Sequence, residues 1–229
     1  DMDYPSLDIQ FLFKYDEYRS EFQRTQEFFS LKSTPFQLLS GIELGLQPHV
    51  LKESSEFLQG REFDFVIGSI HVAKGVDMYS NAYRRLGDSE TLLDFYFEDL
   101  LECVKNYKDY DVVGHLDVIR RYLHRKDLDY SYSREKERLA EILKAIIASG
   151  RGIEVNTSGL RYHLDSSTPG FDIVKLYRDL GGEIITLGSD AHRPEDVGYG
   201  FRETAEMIRS CGFEHAAYFK KRKPVFYRL

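Results

Sequence analysis

"GEIITLGSDAH", residues 182–192, runs from a β-branched and apolar core straight into Ser189, Asp190 and His192. A short apolar run of this kind reads as a buried strand. Its polar end then places a carboxylate and an imidazole at the rim of a sheet. Four other stretches share the design: "FQLLSGIELG" (36–45), "FDFVIGSIH" (63–71), "YDVVGHLD" (110–117) and "RGIEVNTSG" (151–159). A shorter candidate, "HAAYF" (215–219), follows near the end.

The segments between these strands carry helical spacing. Leu139, Ile142, Leu143, Ile146 and Ile147 recur at i, i+3, i+4, i+7 and i+8, and Gly150 supplies the stop. Leu93, Phe97, Leu100, Leu101 and Val104 form a second stripe, and further helices are expected around 50–59, 171–180 and 201–211. Strands alternating with helices predict an α/β chain built on a parallel sheet or barrel. No internal repeat or Pro/Gly/Ser-rich linker interrupts the pattern, so residues 1–229 read as one domain. The polar stretch 124–137 reads as a loop entering a helix, its charges solvated.

Composition narrows the partners. Apolar residues make up 42% of the 229, enough for a full core. A net charge of −7 and a pI near 5.6 argue against a phosphate-backbone-binding surface, since only the tail "FKKRKPVFYRL" is locally basic. Cys103 and Cys211 lie far apart, which is no disulfide framework, and a reducing cytoplasm is the expected setting. No 18-residue apolar run or leader pattern is present, so no membrane association is expected.

In a parallel barrel, residues distant in sequence meet at the carboxyl ends of the strands. Here those ends bear Glu43, His71, His115 with Asp117, Glu154 with Asn156, and Asp190 with His192. A carboxylate is costly to bury alone, and a shared cation would account for Glu43, Glu154 and the histidines together. Carboxylates with imidazoles suit zinc, manganese or iron, and a bridging carboxylate can hold two such ions roughly 3.5–4 Å apart. His49 and His163 are candidates for the substrate's surroundings, while His124 and His215 read as surface. Arg161, just beyond the Glu154 strand, suits an anionic substrate group or an ordinary ion pair; Lys74 and Arg120 are weaker versions of the same idea.

The set "GIELGLQPH", "FDFVIGSIH", "DVVGHLDVIRRY", "GIEVNTSGLRY", "EIITLGSDAHRPEDVGYGF" and "AYFKKRKPVFY" resembles the histidinol-phosphate phosphatases of the polymerase and histidinol phosphatase (PHP) family across essentially the whole chain. The resemblance implies a distorted (β/α)7 TIM-like barrel with a trinuclear metal site that hydrolyses L-histidinol phosphate to L-histidinol and phosphate in histidine biosynthesis. By the same likeness, Glu43 corresponds to the carboxylate bridging the first two metals and His71 and His115 to the other ligands of the second. Asp190 corresponds to the carboxylate on the first metal and His192 to a ligand of the third. Arg161 resembles the clamp on the substrate phosphate, with His49, Asn156 and Ser158 as further substrate-binding residues. Asp190 is also the candidate to orient the attacking water or to protonate the departing alkoxide.

The family pattern also carries a His-x-His pair on its first strand and a Thr-Asp-His-like motif ending its second, and neither occurs here. "DMDYPSLDIQF" (1–11) resembles the segment just beyond that motif. The expectation is therefore a chain lacking two βα units, about 30 or more residues, with weak metal binding at the first and third positions. Two rival readings are a PHP-type phosphoesterase acting on nucleotides and an inactive barrel used as a binding module. Oligomeric state is not readable.

Overall fold

The computed structural model describes residues 1–5, 14–32, 36–123 and 131–229. In chain order its elements are α1 (Tyr15–Ser30), β1 (Gly41–Gly45), α2 (Leu51–Leu58), β2 (Phe65–Ser69), a hairpin of β3 (Val72–Ala73) and β4 (Val76–Asp77), α3 (Asn81–Arg84) and α4 (Ser89–Asn106). There follow β5 (Val112–Val113), α5 (Tyr132–Ala148), β6 (Gly152–Asn156), α6 (Ser158–Arg161), α7 (Phe171–Asp179), β7 (Ile185–Gly188), α8 (Phe201–Ser210), β8 (His215–Lys220) and β9 (Lys223–Arg228).

Five strands form one parallel sheet in the order β1-β2-β5-β6-β7, each inside a stretch that the apolar runs predict. The α/β class is as the sequence indicates; among the described residues the sheet is open, with β1 and β7 at its edges. Strands covered by helices on their outward side should be nearly continuous in apolar residues. β6 fits this, with every residue buried. Both helical stripes face the core: Leu93, Phe97, Leu100 and Val104 of α4 and Leu139, Ile142, Leu143 and Ile146 of α5 are buried. Asp88 caps α4 by accepting from the Thr91 backbone N–H at 2.9 Å. Gly150, at φ 70°, ends α5 as expected, with Arg151 N donating to Ile146 O.

The sixth candidate strand is a correction to the sequence reading. Residues 215–219 do not extend the parallel sheet; β8 turns back on β9 as an antiparallel hairpin. Lys221 and Arg222 both have positive φ, 52° and 61°, the geometry of a tight two-residue hairpin turn whose twist matches its strands. The turn docks at the amino ends of β2 and β5. Lys221 N donates to Asp64, and Arg222 Nε donates to the buried Asp111 carboxylate at 2.7 and 2.8 Å. The turn of the basic tail is thereby anchored at the base of the sheet, opposite the rim that carries Asp190 and His192. Residues 124–130, and with them His124, lie outside the described residues.

Candidate metal centre

The rim is built from short departures beyond the strands. Glu43 is the middle residue of β1, His71 follows β2 by two residues, His115 follows β5 by two and Asp190 follows β7 by two. His115 and Asp190 have positive φ, 24° and 49°, which costs a non-glycine residue and recurs where backbone aims a functional side chain. With Tyr4, Asp77, Tyr79, Arg121 and Tyr122 these groups line a cavity of about 450 Å³ that also includes His192.

Within it, three ligand atoms converge. His71 Nε2 lies 3.3 Å from His115 Nε2 and 3.3 Å from Glu43 Oε1, and His115 Nε2 lies 3.0 Å from the same Glu43 oxygen. Four ligands at about 2.0–2.1 Å from one zinc ion stand about 3.3 Å apart along the edges of a tetrahedron. The three atoms therefore outline one face of such a site, with two imidazoles and a carboxylate as the donor set. Two imidazole nitrogens this close gain nothing from each other when both are protonated, whereas a cation between them satisfies both. The residues fit the metal.

The surroundings support that aim. Both Asp1 carboxylate oxygens are 3.1 Å from His71 Nδ1, which turns Nε2 toward the cluster. The His115 ring is buried, and among the described residues its Nδ1 has no hydrogen-bond partner. Burial acts to raise the pKa of Glu43, but the two imidazoles outweigh it and hold the carboxyl well below its ordinary range. The ligand carboxylate is thus ionised and ready to bind a cation.

Glu154 does not join this group. It sits one layer beneath, accepting from His115 N at 3.1 Å and Asn156 Nδ2 at 3.2 Å, and burial pushes its pKa up to about 7. Its cost of burial, which the sequence suggested a shared cation would offset, is met instead by protonation and hydrogen bonds. Asp190 lies across the cavity, and His192, mostly exposed, donates to or accepts from nothing nearer than the Asp190 carbonyl at 3.0 Å among the described residues.

The other expected site residues are placed further out. Arg161 is not among the residues lining the cavity; its Nη2 donates to the Ser189 and Asp190 carbonyls at 2.9 Å, bracing the turn that carries Asp190. His49 is exposed and paired with Asp3 at 2.7 Å. Asn156 and Ser158 are buried and bonded to each other. Lys74 is held by Asp99 and Glu98, Arg120 by Asp117, and His163 and His215 are exposed away from the cluster. Arg121 was not singled out in the sequence, yet it lines the cavity. The short 3-10 turn Val118–Arg121 directly after His115 carries it there.

A parallel sheet whose strand ends gather two imidazoles and a carboxylate defines a class of metal-dependent α/β protein. The sequence pattern of the PHP domain family matches residues 4–158, and the chain belongs to that family. It is 30% identical over 231 residues to the histidinol-phosphatase of Lactococcus lactis subsp. lactis, an alignment covering 97% of this chain and 81% of that protein. A probable histidinol-phosphatase of Clostridium acetobutylicum is 28% identical over 224 residues, covering 97% and 83%. Among solved structures, the crystal structure of histidinol phosphate phosphatase from Lactococcus lactis, complexed with zinc, L-histidinol and phosphate, superposes with a TM-score of 0.83 at 25% identity, covering 95% of this chain and 81% of that one.

Proposed function

We propose that this chain is a zinc-dependent phosphatase that hydrolyses L-histidinol phosphate to L-histidinol and phosphate, the step expected of it in histidine biosynthesis. The observation that carries the reading is the Glu43, His71 and His115 face inside a cavity of about 450 Å³, a volume suited to a small phosphate ester. Zinc fits the donor set, with manganese and iron as the alternatives that the same ligands accept. When bound, the metal supplies Lewis acidity to the phosphoryl oxygens and lowers the pKa of bound water toward about 7.

The chain's own residues divide the remaining work. Glu43, His71 and His115 hold the metal, and Asp190 with His192 offers ligands for further ions across the cavity. The Asp190 carboxylate orients the attacking water and carries a proton toward the departing alkoxide. Arg161 fixes that carboxylate through the Ser189 and Asp190 carbonyls and adds positive charge behind the phosphate. Asn156 and Ser158, buried and bonded to each other, brace the floor beneath the cavity. The partner is a small phosphate ester, and the net charge of −7 weighs against a nucleic acid in its place. Among the described residues no helix is long and apolar enough to cross a membrane, and both cysteines are buried and unpaired. The setting proposed for this activity is the cytoplasm, with residues 1–229 acting as one domain.

The test is turnover by the zinc-loaded chain of L-histidinol phosphate against a 5′-nucleotide. A preference for histidinol phosphate, lost together with bound zinc in His115→Ala, is the expected result. Equal or better turnover of the nucleotide refutes the substrate, and no turnover of either ester by protein that retains its zinc refutes the phosphatase.

A further inference from the structure

We propose that a second cleft, floored by Asp117, binds a small primary amine that has an apolar body and no carboxylate. The cleft has a volume of about 290 Å³ and lies between the Val118–Arg121 turn, the first residue of α5 and the N-terminus of α7. It shares no lining residue with the metal cavity, so the proposal stands apart from the phosphatase reading.

Asp117 is 1% exposed, and a carboxylate at that depth calls for a donor on each oxygen. Arg120 serves one of them, donating from Nη1 to Oδ2 at 3.1 Å. The other, Oδ1, has no hydrogen-bond partner among the described residues. Arg120 is engaged on its remaining sides as well, since Nη1 also donates to Ser166 Oγ at 3.1 Å and Nη2 to the Leu164 carbonyl at 3.3 Å. The guanidinium therefore holds the floor in place, and Oδ1 is left as an acceptor for a ligand's donor.

Charge and shape then select the class of ligand. Asp117 and Asp172 line the cleft with a single guanidinium, and the N-terminus of α7 adds about half a positive charge, so the balance stays negative. A divalent metal is a poor match, because one of the two Asp117 oxygens already belongs to Arg120. An ammonium carries one charge and three donors, which suits the remaining oxygen. A ligand carboxylate would meet the same negative surplus and find Arg120 occupied. The walls are apolar: Ile173 is buried, Tyr132 half-buried, and Phe171 stands at the mouth with 46% of its surface exposed. An amine with its nitrogen on the floor would lay its carbon body against Phe171 and cover it.

The experiment titrates the zinc-loaded chain, labelled at its isoleucine methyl groups, with benzylamine at pH 7 and follows the Ile173 signal by NMR, assigned through Ile173→Val. Benzyl alcohol removes the charge from the probe, and L-phenylalanine adds a carboxylate to it. Benzylamine should shift the Ile173 methyl saturably with a Kd of about 1 mM or tighter, as befits a ligand of this size. Both comparison ligands should bind about 10-fold more weakly or less. Asp117→Asn should weaken benzylamine about 10-fold, and Asp172→Asn, at the exposed mouth, about 3-fold. No saturable shift at Ile173 overturns the proposal. So does benzyl alcohol or L-phenylalanine binding within about twofold of benzylamine, or an affinity of Asp117→Asn within about twofold of the parent's. If Asp117→Asn does not fold, judged by its melting transition, Asp172→Asn and the three ligands on the parent chain decide, and an unchanged affinity in Asp172→Asn then refutes the site.

Discussion

Glu154→Gln isolates the energetic cost of the carboxyl beneath the metal centre. The folded pKa is pushed up to about 7 by burial, against 4.5 in its ordinary setting. A raised carboxyl pKa means that the folded chain binds the proton more tightly than the unfolded one, so stability falls as pH rises from 4.5 to about 7. At about 1.4 kcal/mol per tenfold change in proton affinity, the full penalty is about 3 kcal/mol, absent below pH 4.5 and complete above 7. Glutamine keeps an acceptor for the His115 N–H and cannot ionise. Urea unfolding of parent and variant in a chelator, at pH 4.5 and pH 8, reads the difference directly, because every other titrating group is common to both chains. The variant should gain about 3 kcal/mol on the parent between the two pH values. A gap that changes by less than about 1 kcal/mol would show that Glu154 is not held protonated by its burial.

Two further outcomes separate the ends of the sheet. A Cβ at Gly188 would stand 1.9 Å from Glu154 Oε1, so Gly188→Ala must dislodge a buried side chain from His115 N and Asn156. It should cost about 3 kcal/mol and lower zinc affinity, measured by unfolding and by competition with a chromogenic chelator; undiminished affinity would contradict it. Arg222→Ala leaves the buried Asp111 carboxylate at the opposite end with only the Val66 N–H and the more distant Arg151, and should cost about 2 kcal/mol in urea unfolding while leaving zinc affinity at the parent's level.

The parallel strands were legible because each is a short apolar run with a polar end, a pattern that tertiary packing does not reverse. The final hairpin was not, since "HAAYF" alone looks like another sheet strand, and what turns it back is the backbone of Lys221 and Arg222, residues with no turn preference of their own. α1 escaped notice because its stripe is aromatic and only half-buried: Tyr15 and Tyr18 rest on Phe63 while charged residues fill the positions between them. At the site, Glu43, His71 and His115 were readable from their common position after β-branched runs. Glu154 shares that position but is buried against the His115 backbone and Asn156, and one-dimensional spacing carries no depth. Arg121 was hidden beside Arg120 in "VIRRY". Two adjacent arginines look alike in sequence, and only the 3-10 turn sends one to Asp117 and the other to the cavity.

The clasp between Arg222 and Asp111 joins residues 111 positions apart. During vectorial synthesis, β1, β2, β5, β6 and β7 have all been made before that arginine exists, while Asp111, at the amino end of β5, has only the Val66 N–H at 2.8 Å and Arg151 at 4.0 Å to meet its charge. The sheet can therefore assemble early but cannot become fully stable until the hairpin arrives, which makes the basic tail a timing element. A released chain ending at residue 221 should be collapsed but protease-sensitive, and addition of the hairpin should be what seals it.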